Sequence, residues 1–285
     1  MRVDLCGVRG SSPASGADFV EVGGHTSCVA LAHDAEHAPR LLLDAGTGLR
    51  AVPALLDGGP FRGTILLGHL HWDHMQGLPF FRSADRPDAV TRVLVPEQGV
   101  PAVDLLRQTM SPPAFPITPT DLKGSWSFGS IDEGEHAIEG FTVLAREIPH
   151  KGGRTFGYRI SDGHSSVAYL SDHGPAGELG PGPDGVGPYH EAAMTLCAGV
   201  DLLIHDAQYT ADELPTYLHF GHSAVEYSVE LARRAGAATV LLFHHDPDRT
   251  DAAVAAIEQR FQVTPGVTVV AAREGATFRL GHPKP

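Results

Sequence analysis

The segment His69-Leu70-His71-Trp72-Asp73-His74 places four metal-binding side chains within six residues. Imidazole and carboxylate groups together suit zinc and similar divalent cations. The segment follows the apolar run 64–68, which predicts a strand, and its first two histidines point to the same side of extended backbone. The aspartate and histidine that end the segment stand where the strand should turn into a helix, so they can face a second ion. A loop that is polar by chance is the alternative, but chance rarely produces this pattern at the end of a strand.

Three further candidates stand at the ends of other apolar runs. His150, Asp172 and His244 close residues 141–149, 165–171 and 238–243, respectively, and each run reads as a strand. An α/β scaffold collects its chemistry at the carboxyl ends of its strands. A lone histidine in such a place is more often structural, but three groups at equivalent strand ends favour a shared site.

The order of these segments along the chain resembles that of the metallo-β-lactamase-fold hydrolases. The chain is most similar to the phosphodiesterase branch that includes the transfer-RNA 3′-processing nucleases (RNase Z). Besides 69–74, the supporting segments are residues 149–150 with 156–160, 169–172, 203–207, 220–224 and 242–247. The resemblance implies an α/β fold, a four-layered αββα sandwich with a two-metal site on one edge.

The resemblance also implies a ligand set for two divalent ions, most simply Zn²⁺, although Mn²⁺ and Fe²⁺ accept the same donors. One ion would be held by His69, His71 and His150, and the other by Asp73, His74 and His244, with Asp172 bridging both. His245 is an alternative to His244. His244 is preferred because it stands two residues before Asp246 and three before Pro247, which matches the spacing of the family.

Two divalent ions about 3.5–4 Å apart can bridge a hydroxide and clamp a phosphate for in-line attack. Asp73 is expected to orient or deprotonate the water as well as bind metal, and His222 to donate a proton to the leaving alkoxide. Asp206 and Glu226 are both candidates for the acidic partner of His222. A purely structural reading of His222 remains, since Ser223 with Glu226 would form a capping box for the helix that follows.

Composition predicts one domain over residues 1–285. The chain has 285 residues and is 42% hydrophobic, enough for a substantial core. The segment 80–140 is the least determined part and is a candidate insert that covers the pocket. Its aromatic residues Phe115, Trp126 and Phe128 either stack a base or fill the core beneath a loop.

The charge of the chain favours a small substrate. A net charge of −13 opposes long polyanions, because nucleic-acid affinity rests mainly on Lys and Arg. The transfer-RNA nucleases of this branch grip their substrate with an arm between the third histidine and the bridging aspartate, and the residues from 150 to 172 leave no room for one. Lys151, Arg154 and Arg159 are candidates to orient a small anion. These features predict hydrolysis of small phosphodiesters such as cyclic nucleotides.

Two alternatives stay open: an RNA-processing endonuclease of the RNase Z type, and a metallohydrolase acting on a lactam, a lactone or a thioester. No leader and no membrane span is evident, and three cysteines without a C-x-x-C pair are most simply reduced, which predicts a cytoplasmic protein. A homodimer is suggested by the resemblance alone.

Overall fold

Two seven-stranded sheets form the centre of the computed structural model, which describes residues 1–281. The last four residues of the predicted 1–285 domain lie outside this range. The first sheet contains β1 (Arg2–Gly7), β2 (Cys28–Ala32), β3 (Leu41–Leu43), β4 (Arg62–Leu66), β5 (Val90–Pro96), β6 (Ser125–Ile131) and β14 (Thr277–Arg279). The second contains β7 (Gly134–Ile138), β8 (Phe141–Ile148), β9 (Thr155–Ser161), β10 (Ser166–Leu170), β11 (Leu202–Asp206), β12 (Thr239–Phe243) and β13 (Thr268–Ala271).

The strand order explains why the predicted ligands can meet. The first sheet has the order β14-β1-β2-β3-β4-β5-β6, and β3 to β6 run parallel. The second has the order β13-β12-β11-β10-β9-β8-β7, in which β10 to β13 run parallel. Because β8 and β10 are both antiparallel to β9, β8 runs in the same direction as β10. The carboxyl ends of β8, β10, β11 and β12 therefore share one edge of the second sheet.

Helices cover the outer faces of both sheets. They are α1 (Val52–Leu55), α2 (Trp72–Met75), α3 (Ala102–Arg107), α4 (Pro175–Leu179), α5 (Glu191–Cys197), α6 (Leu214–Tyr217), α7 (Val225–Ala235) and α8 (Asp251–Arg260). The first three pack on the first sheet, while α5, α7 and α8 pack on the second. This arrangement confirms the predicted αββα sandwich. Within residues 1–281, no helix combines the length and apolar character needed to cross a bilayer.

Alternation along the strands builds the buried layers. In β12, Leu241 and Phe243 point into the core between the sheets, whereas Val240 and Leu242 point toward the helices. Successive side chains of a strand face opposite sides, so an all-apolar strand serves two layers at once. The sheets are also tied by polar contacts, since the Tyr158 hydroxyl donates to the Leu67 carbonyl at 2.7 Å.

The segment 80–140 contributes more to the sandwich than an insert would. It supplies β5 and β6 to the first sheet, and β7 to the second, and its longest stretch outside the strands is residues 97–124. Trp126 and Phe128 stack on each other with ring centroids 6.0 Å apart and pack beside the first sheet. Phe115 lies edge-on to the exposed Phe80 at 5.9 Å. Cover of the pocket by this segment stays a prediction.

Candidate metal centre

All seven predicted metal ligands gather at the carboxyl-end edge of the sheets, in two adjacent clusters. They follow β4, β8, β10 and β12, as the sequence predicted. The first cluster contains His69, His71, His150 and Asp172, and the second contains Asp73, His74 and His244. Within each cluster one donor atom of every residue lies within 4.8 Å of the others. Both groups are therefore close enough to hold an ion.

Asp172 lies between the clusters and faces each with a different oxygen. Its Oδ2 is 3.5 Å from His150 Nε2 and 3.6 Å from His69 Nε2. Its Oδ1 is 3.0 Å from His74 Nε2 and 3.2 Å from His244 Nε2. One carboxylate can thus serve two cations at once.

Three of the histidines are oriented by a hydrogen bond at Nδ1. The pairs are His74 with Asp44 Oδ2 (2.7 Å), His150 with the Gly221 carbonyl (2.6 Å) and His244 with Gln208 Oε1 (2.9 Å). An oxygen acceptor at Nδ1 places the ring proton there and leaves the Nε2 lone pair free. These partners fix both the tautomer and the direction of each ring.

Asp44 is a positioning residue to which sequence reasoning gave no role. It is fully buried and accepts hydrogen bonds from the Gly68 N–H at 2.7 Å and from the Tyr169 hydroxyl at 2.6 Å. Tyr169 belongs to the second sheet, so Asp44 joins both halves beneath His74. The sequence feature that could have identified Asp44 is its position directly after β3, because the predicted metal ligands also follow strands.

One nitrogen of the first cluster has no partner to satisfy it. His69 Nε2 is buried and makes no hydrogen bond to any residue in 1–281. An unpaired buried polar atom costs about 1–3 kcal/mol, so such atoms are rare and call for an explanation. A cation between His69, His71, His150 and Asp172 would satisfy this nitrogen. The residues present therefore fit a metal ion.

Burial and charge set protonation states that favour cation binding. Burial lowers the pKa of His69 well below its usual value and that of His150 to about 4, so both rings are neutral. Burial would raise the pKa of Asp172, but His244 and His74 outweigh it, and this pKa is well below its usual range. Burial also disfavours a charged His74 ring, but Asp172 and other carboxylates outweigh it and raise its pKa, so a cation would displace that proton.

His222 stands beside the second cluster and is paired with Asp206. Its Nδ1 is 2.8 Å from Asp206 Oδ2 and 3.8 Å from Asp172 Oδ2. Burial would lower the pKa of His222, but Asp206 outweighs it and the pKa is raised. The geometry favours Asp206, rather than Glu226, as the acidic partner. Asp206 ends β11, between β10 and β12, which carry Asp172 and His244.

The capping box expected from Ser223 and Glu226 is wrong. The residue that caps α7 is Ala224, and it makes no side-chain capping bond. The Ser223 hydroxyl donates instead to the His173 carbonyl, and the Glu226 carboxylate accepts from the Ala211 N–H at 2.8 Å. Both side chains bind neighbouring loops, because the chain enters α7 from a buried segment rather than from solvent.

The three basic residues proposed for the substrate have other partners. Arg154 donates to Glu147 at 2.8 Å and to the Glu97 carbonyl at 2.8 Å. Arg159 donates to the Ala198 carbonyl, just past the end of α5. Lys151, directly after His150, is exposed, and its Nζ donates to the His219 carbonyl at 3.2 Å. Phosphate contacts by these residues stay predictions, and the bonds of the two arginines do not support them.

His245 faces away from the clusters. Its Nε2 is 3.0 Å from the Ala272 carbonyl, on the far side of β12 from the ligands. Burial lowers the pKa of this ring to about 3. The structure thus places His244, and not His245, beside Asp73.

Comparison with known proteins identifies the class. The model of the β-lactamase superfamily domain matches residues 39–245 of the chain. The chain belongs to this superfamily, and its sandwich and site edge are those of the metallo-β-lactamase-fold hydrolases. The predicted superfamily and the assignment to the hydrolases are confirmed.

Individual relatives agree with the predicted branch. A ribonuclease Z of Salinibacter ruber is 29% identical over 222 residues, covering 63% of this chain and 67% of that protein. A diphosphatase of the PhnP family has a similar fold, with a TM-score of 0.69, 19% identity and coverage of 98% of this chain and 97% of its own. The short form of human tRNase Z gives a TM-score of 0.66 and 19% identity, covering 98% and 99%. The chain thus lies in the RNase Z and phosphodiesterase branch.

Proposed function

We propose that the chain is a dinuclear metal-dependent phosphodiesterase that hydrolyses small phosphodiesters such as cyclic nucleotides. The observation that carries this proposal is the position of Asp172, with Oδ1 3.0 Å from His74 Nε2 and Oδ2 3.5 Å from His150 Nε2. A shared carboxylate suits two ions side by side, and paired ions suit in-line displacement at phosphorus.

The ligand sets follow the two clusters. One ion would be held by His69, His71 and His150, and the other by Asp73, His74 and His244, with Asp172 shared. When bound, two divalent ions, most simply Zn²⁺, would lower the pKa of water and offset negative charge on the phosphate oxygens. The Ser11 N–H donates to Asp73 Oδ2 at 2.8 Å, which positions this carboxylate to orient the attacking water.

His222 supplies the proton that the leaving group needs. The oxygen of water forms a new bond to phosphorus, and the bond from phosphorus to the leaving oxygen breaks. His222 gives a proton to that oxygen, and Asp206 stabilises the imidazolium before the transfer. The water proton restores His222 at the end of the cycle, so one water is consumed for each ester bond.

Charge and chain length support a small substrate. The chain carries a net charge of −13, which opposes a long polyanion. The residues between His150 and Asp172 form β9 and β10 and the turn that joins them. They leave no length for a protruding arm of the kind that grips transfer RNA in the related nucleases.

An RNA-processing nuclease is the second candidate. The observation in its favour is that the curated relatives at 27–29% identity bear the name ribonuclease Z. The same two clusters and the same proton donor would serve a phosphodiester within RNA.

The proposal is tested by a panel of substrates offered to the chain after reconstitution with Zn²⁺, Mn²⁺ or Fe²⁺. The panel contains bis-p-nitrophenyl phosphate, cyclic AMP, cyclic GMP, precursor transfer RNA and the lactam nitrocefin. We expect turnover of bis-p-nitrophenyl phosphate and of a cyclic nucleotide, and its loss in His69→Ala. Cleavage of precursor transfer RNA at physiological salt without turnover of small esters would favour the second candidate. Turnover of nitrocefin alone would overturn both.

A further inference from the structure

A pocket of about 590 Å³ lies next to the candidate metal centre. Two of its lining residues bond to predicted metal ligands, and a third lies near His222. Gln208 bonds to His244 Nδ1 at 2.9 Å, the Ser11 N–H bonds to Asp73, and the Tyr209 ring lies 6.1 Å from the His222 ring. The pocket therefore begins where the proton donor stands.

Aromatic rings form one wall of this pocket. Tyr209 and Tyr217 stack with centroids 4.8 Å apart and planes inclined by 12°. Tyr217 and Phe220 continue the row at 6.3 Å and 24°. Tyr209 is buried, whereas Tyr217 and Phe220 are 40% and 50% exposed. The outer two rings are thus accessible to a flat group at their exposed parts, while the His219 ring lies 4.2 Å from that of Phe220. Phe220 lies two residues before His222.

The opposite wall is acidic. Glu213 is neutralised by Arg249, with Nη2 2.7 Å from Oε2. Asp246 and Asp248 also line the pocket, and neither forms an ion pair with any residue of 1–281. Arg249 is the only cation among the lining residues, and it is engaged by Glu213 and by the Gln208 carbonyl. This wall can accept hydrogen bonds from hydroxyl groups and repels a phosphate.

We propose that this pocket receives the nucleoside that carries the leaving oxygen, and that this nucleoside bears no phosphate besides the one that is attacked. The proposal rests on the phosphodiesterase function proposed above. Because His222 protonates the leaving oxygen, the group attached to that oxygen extends into the pocket beside His222. Its base stacks on Tyr217 and Phe220, and its sugar hydroxyls donate to Asp246 and Asp248. A leaving group that carries a further phosphate is repelled by the two carboxylates.

The test compares a dinucleoside monophosphate, ApA, with the same molecule carrying one extra phosphate at its 3′ or its 5′ end. Chromatography of the products shows which nucleoside leaves. In the metal-loaded wild type, a phosphate on the leaving nucleoside should lower kcat/KM about 10-fold, and Asp248→Asn should recover about 3-fold of this loss. Asp57→Asn, which removes the same charge far from the pocket in sequence and outside its lining, should leave the ratio unchanged.

The aromatic wall is tested on uncharged ApA. Phe220→Ala should lower kcat/KM about 5- to 30-fold, the effect that loss of one stacking partner produces. Phe261→Ala removes a partly exposed aromatic ring at the end of α8 that does not line this pocket, and serves as the matched control. Binding of free adenosine by calorimetry should weaken in Phe220→Ala alone.

The outcomes separate the two proposals. Equal effects of the extra phosphate in wild type and Asp248→Asn, or equal effects of Phe220→Ala and Phe261→Ala, would overturn the leaving-group pocket. Hydrolysis of bis-p-nitrophenyl phosphate without hydrolysis of ApA would also overturn it, while the phosphodiesterase function would stand. Failure to hydrolyse any phosphodiester would overturn both.

Discussion

The Asp206 carboxylate is held by backbone groups as well as by His222. The His173 N–H donates to Oδ2 at 3.2 Å, and the Gln208 N–H donates to Oδ1 at 3.0 Å. A carboxylate fixed in this way keeps its charge next to the imidazole, which both orients the ring and stabilises its protonated form. In the proposed mechanism, Asp206 would act on the substrate only through His222.

Asp206→Asn should lower kcat about 10- to 100-fold on esters with poor leaving groups, and much less on p-nitrophenyl esters, which leave without a proton. The measurement is the dependence of log kcat on the pKa of the leaving group. Glu226→Gln alters the rejected partner and should keep the wild-type slope. Parallel losses on activated and unactivated esters in Asp206→Asn would show a structural effect instead.

Replacement of His244 should change metal binding, whereas replacement of His245 should change only stability. His244→Ala removes a nitrogen that lies 3.2 Å from both Asp73 and Asp172, so we expect about one bound ion fewer per chain. His245→Gln breaks only the bond to the Ala272 carbonyl, so it should keep two ions and lose about 1–3 kcal/mol of unfolding free energy. Elemental analysis and urea unfolding measure the two effects. Loss of an ion in His245→Gln would contradict the ligand set.

At the residue scale, site residues that directly follow an apolar strand could be predicted from the sequence. Residues whose role depends on contacts with neighbouring elements could not. The ligands could be found because each follows an apolar run. Asp206 could not be separated from Glu226, since the choice depends on β11 lying between β10 and β12. The sequence also did not indicate that Arg159, in β9, donates to the Ala198 carbonyl just past the end of α5.

At the scale of elements, the turn between β13 and β14 carries a half-buried acid. Glu274 accepts a hydrogen bond from the His25 N–H and lies against Gly23. A Cβ at Gly23 would come within 2.2 Å of the Glu274 carboxyl carbon, and its φ of +100° also favours glycine. Burial raises the pKa of Glu274 to about 7, although the His25 N–H and Arg9 oppose the shift.

This shift predicts a loss of stability as pH rises. Between pH 4.5 and about 7 the unfolded chain has lost the Glu274 proton and the folded chain still holds it. The unfolded state therefore binds fewer protons, and the free energy of unfolding falls across this window, by about 1–2 kcal/mol after screening by solvent.

The measurement is urea unfolding of the metal-loaded chain at pH 5 and 7.5. Glu274→Gln should remove this part of the dependence, and Glu21→Gln, at an exposed position nearby, controls for the change of charge. Metal binding contributes equally to all three proteins, so the comparison isolates Glu274. An identical pH dependence in wild type and Glu274→Gln would contradict the prediction.

Element types follow closely from apolar periodicity, but their ends do not. The runs that predict strands at 238–243 and 267–272 correspond to β12 and β13, and Thr250 caps α8 by accepting from the Ala253 N–H. The apolar pattern of residues 100–110 predicts a helix, but the helix in the structure is only Ala102–Arg107, and Pro112 and Pro113 follow it. Capping by Ser223 failed since its hydroxyl has a buried carbonyl partner.

For the whole molecule, removal of metal should lower stability. The clusters join ligands from both sheets, so ions that bind only the folded chain stabilise it by about 4 kcal/mol at 1,000 times Kd. Calorimetry with and without a chelator should show a lower Tm after chelation. His69→Ala should lose part of this difference, and the exposed His164→Ala should keep it. An unchanged Tm after chelation would contradict binding at this site.

The overall architecture was predicted through resemblance rather than through physics. Periodicity marks strands and helices, but it does not state that β14 pairs with β1 across almost the full length of the chain. Such pairings depend on which apolar faces and strand edges are still exposed once all elements have formed. The order of the motifs indicated the pairing for the sandwich through the family resemblance, and no motif indicated the structure of residues 97–124.

Asp172 contacts histidines that lie far apart in the sequence and are therefore synthesised at different times. The first cluster needs β4, β8 and β10, and the second needs β4, β10 and β12, so the pair is complete only after His244 has been synthesised and β12 has docked. A chain that is still being synthesised therefore lacks the second cluster, and we expect it to bind two ions only once the fold is complete.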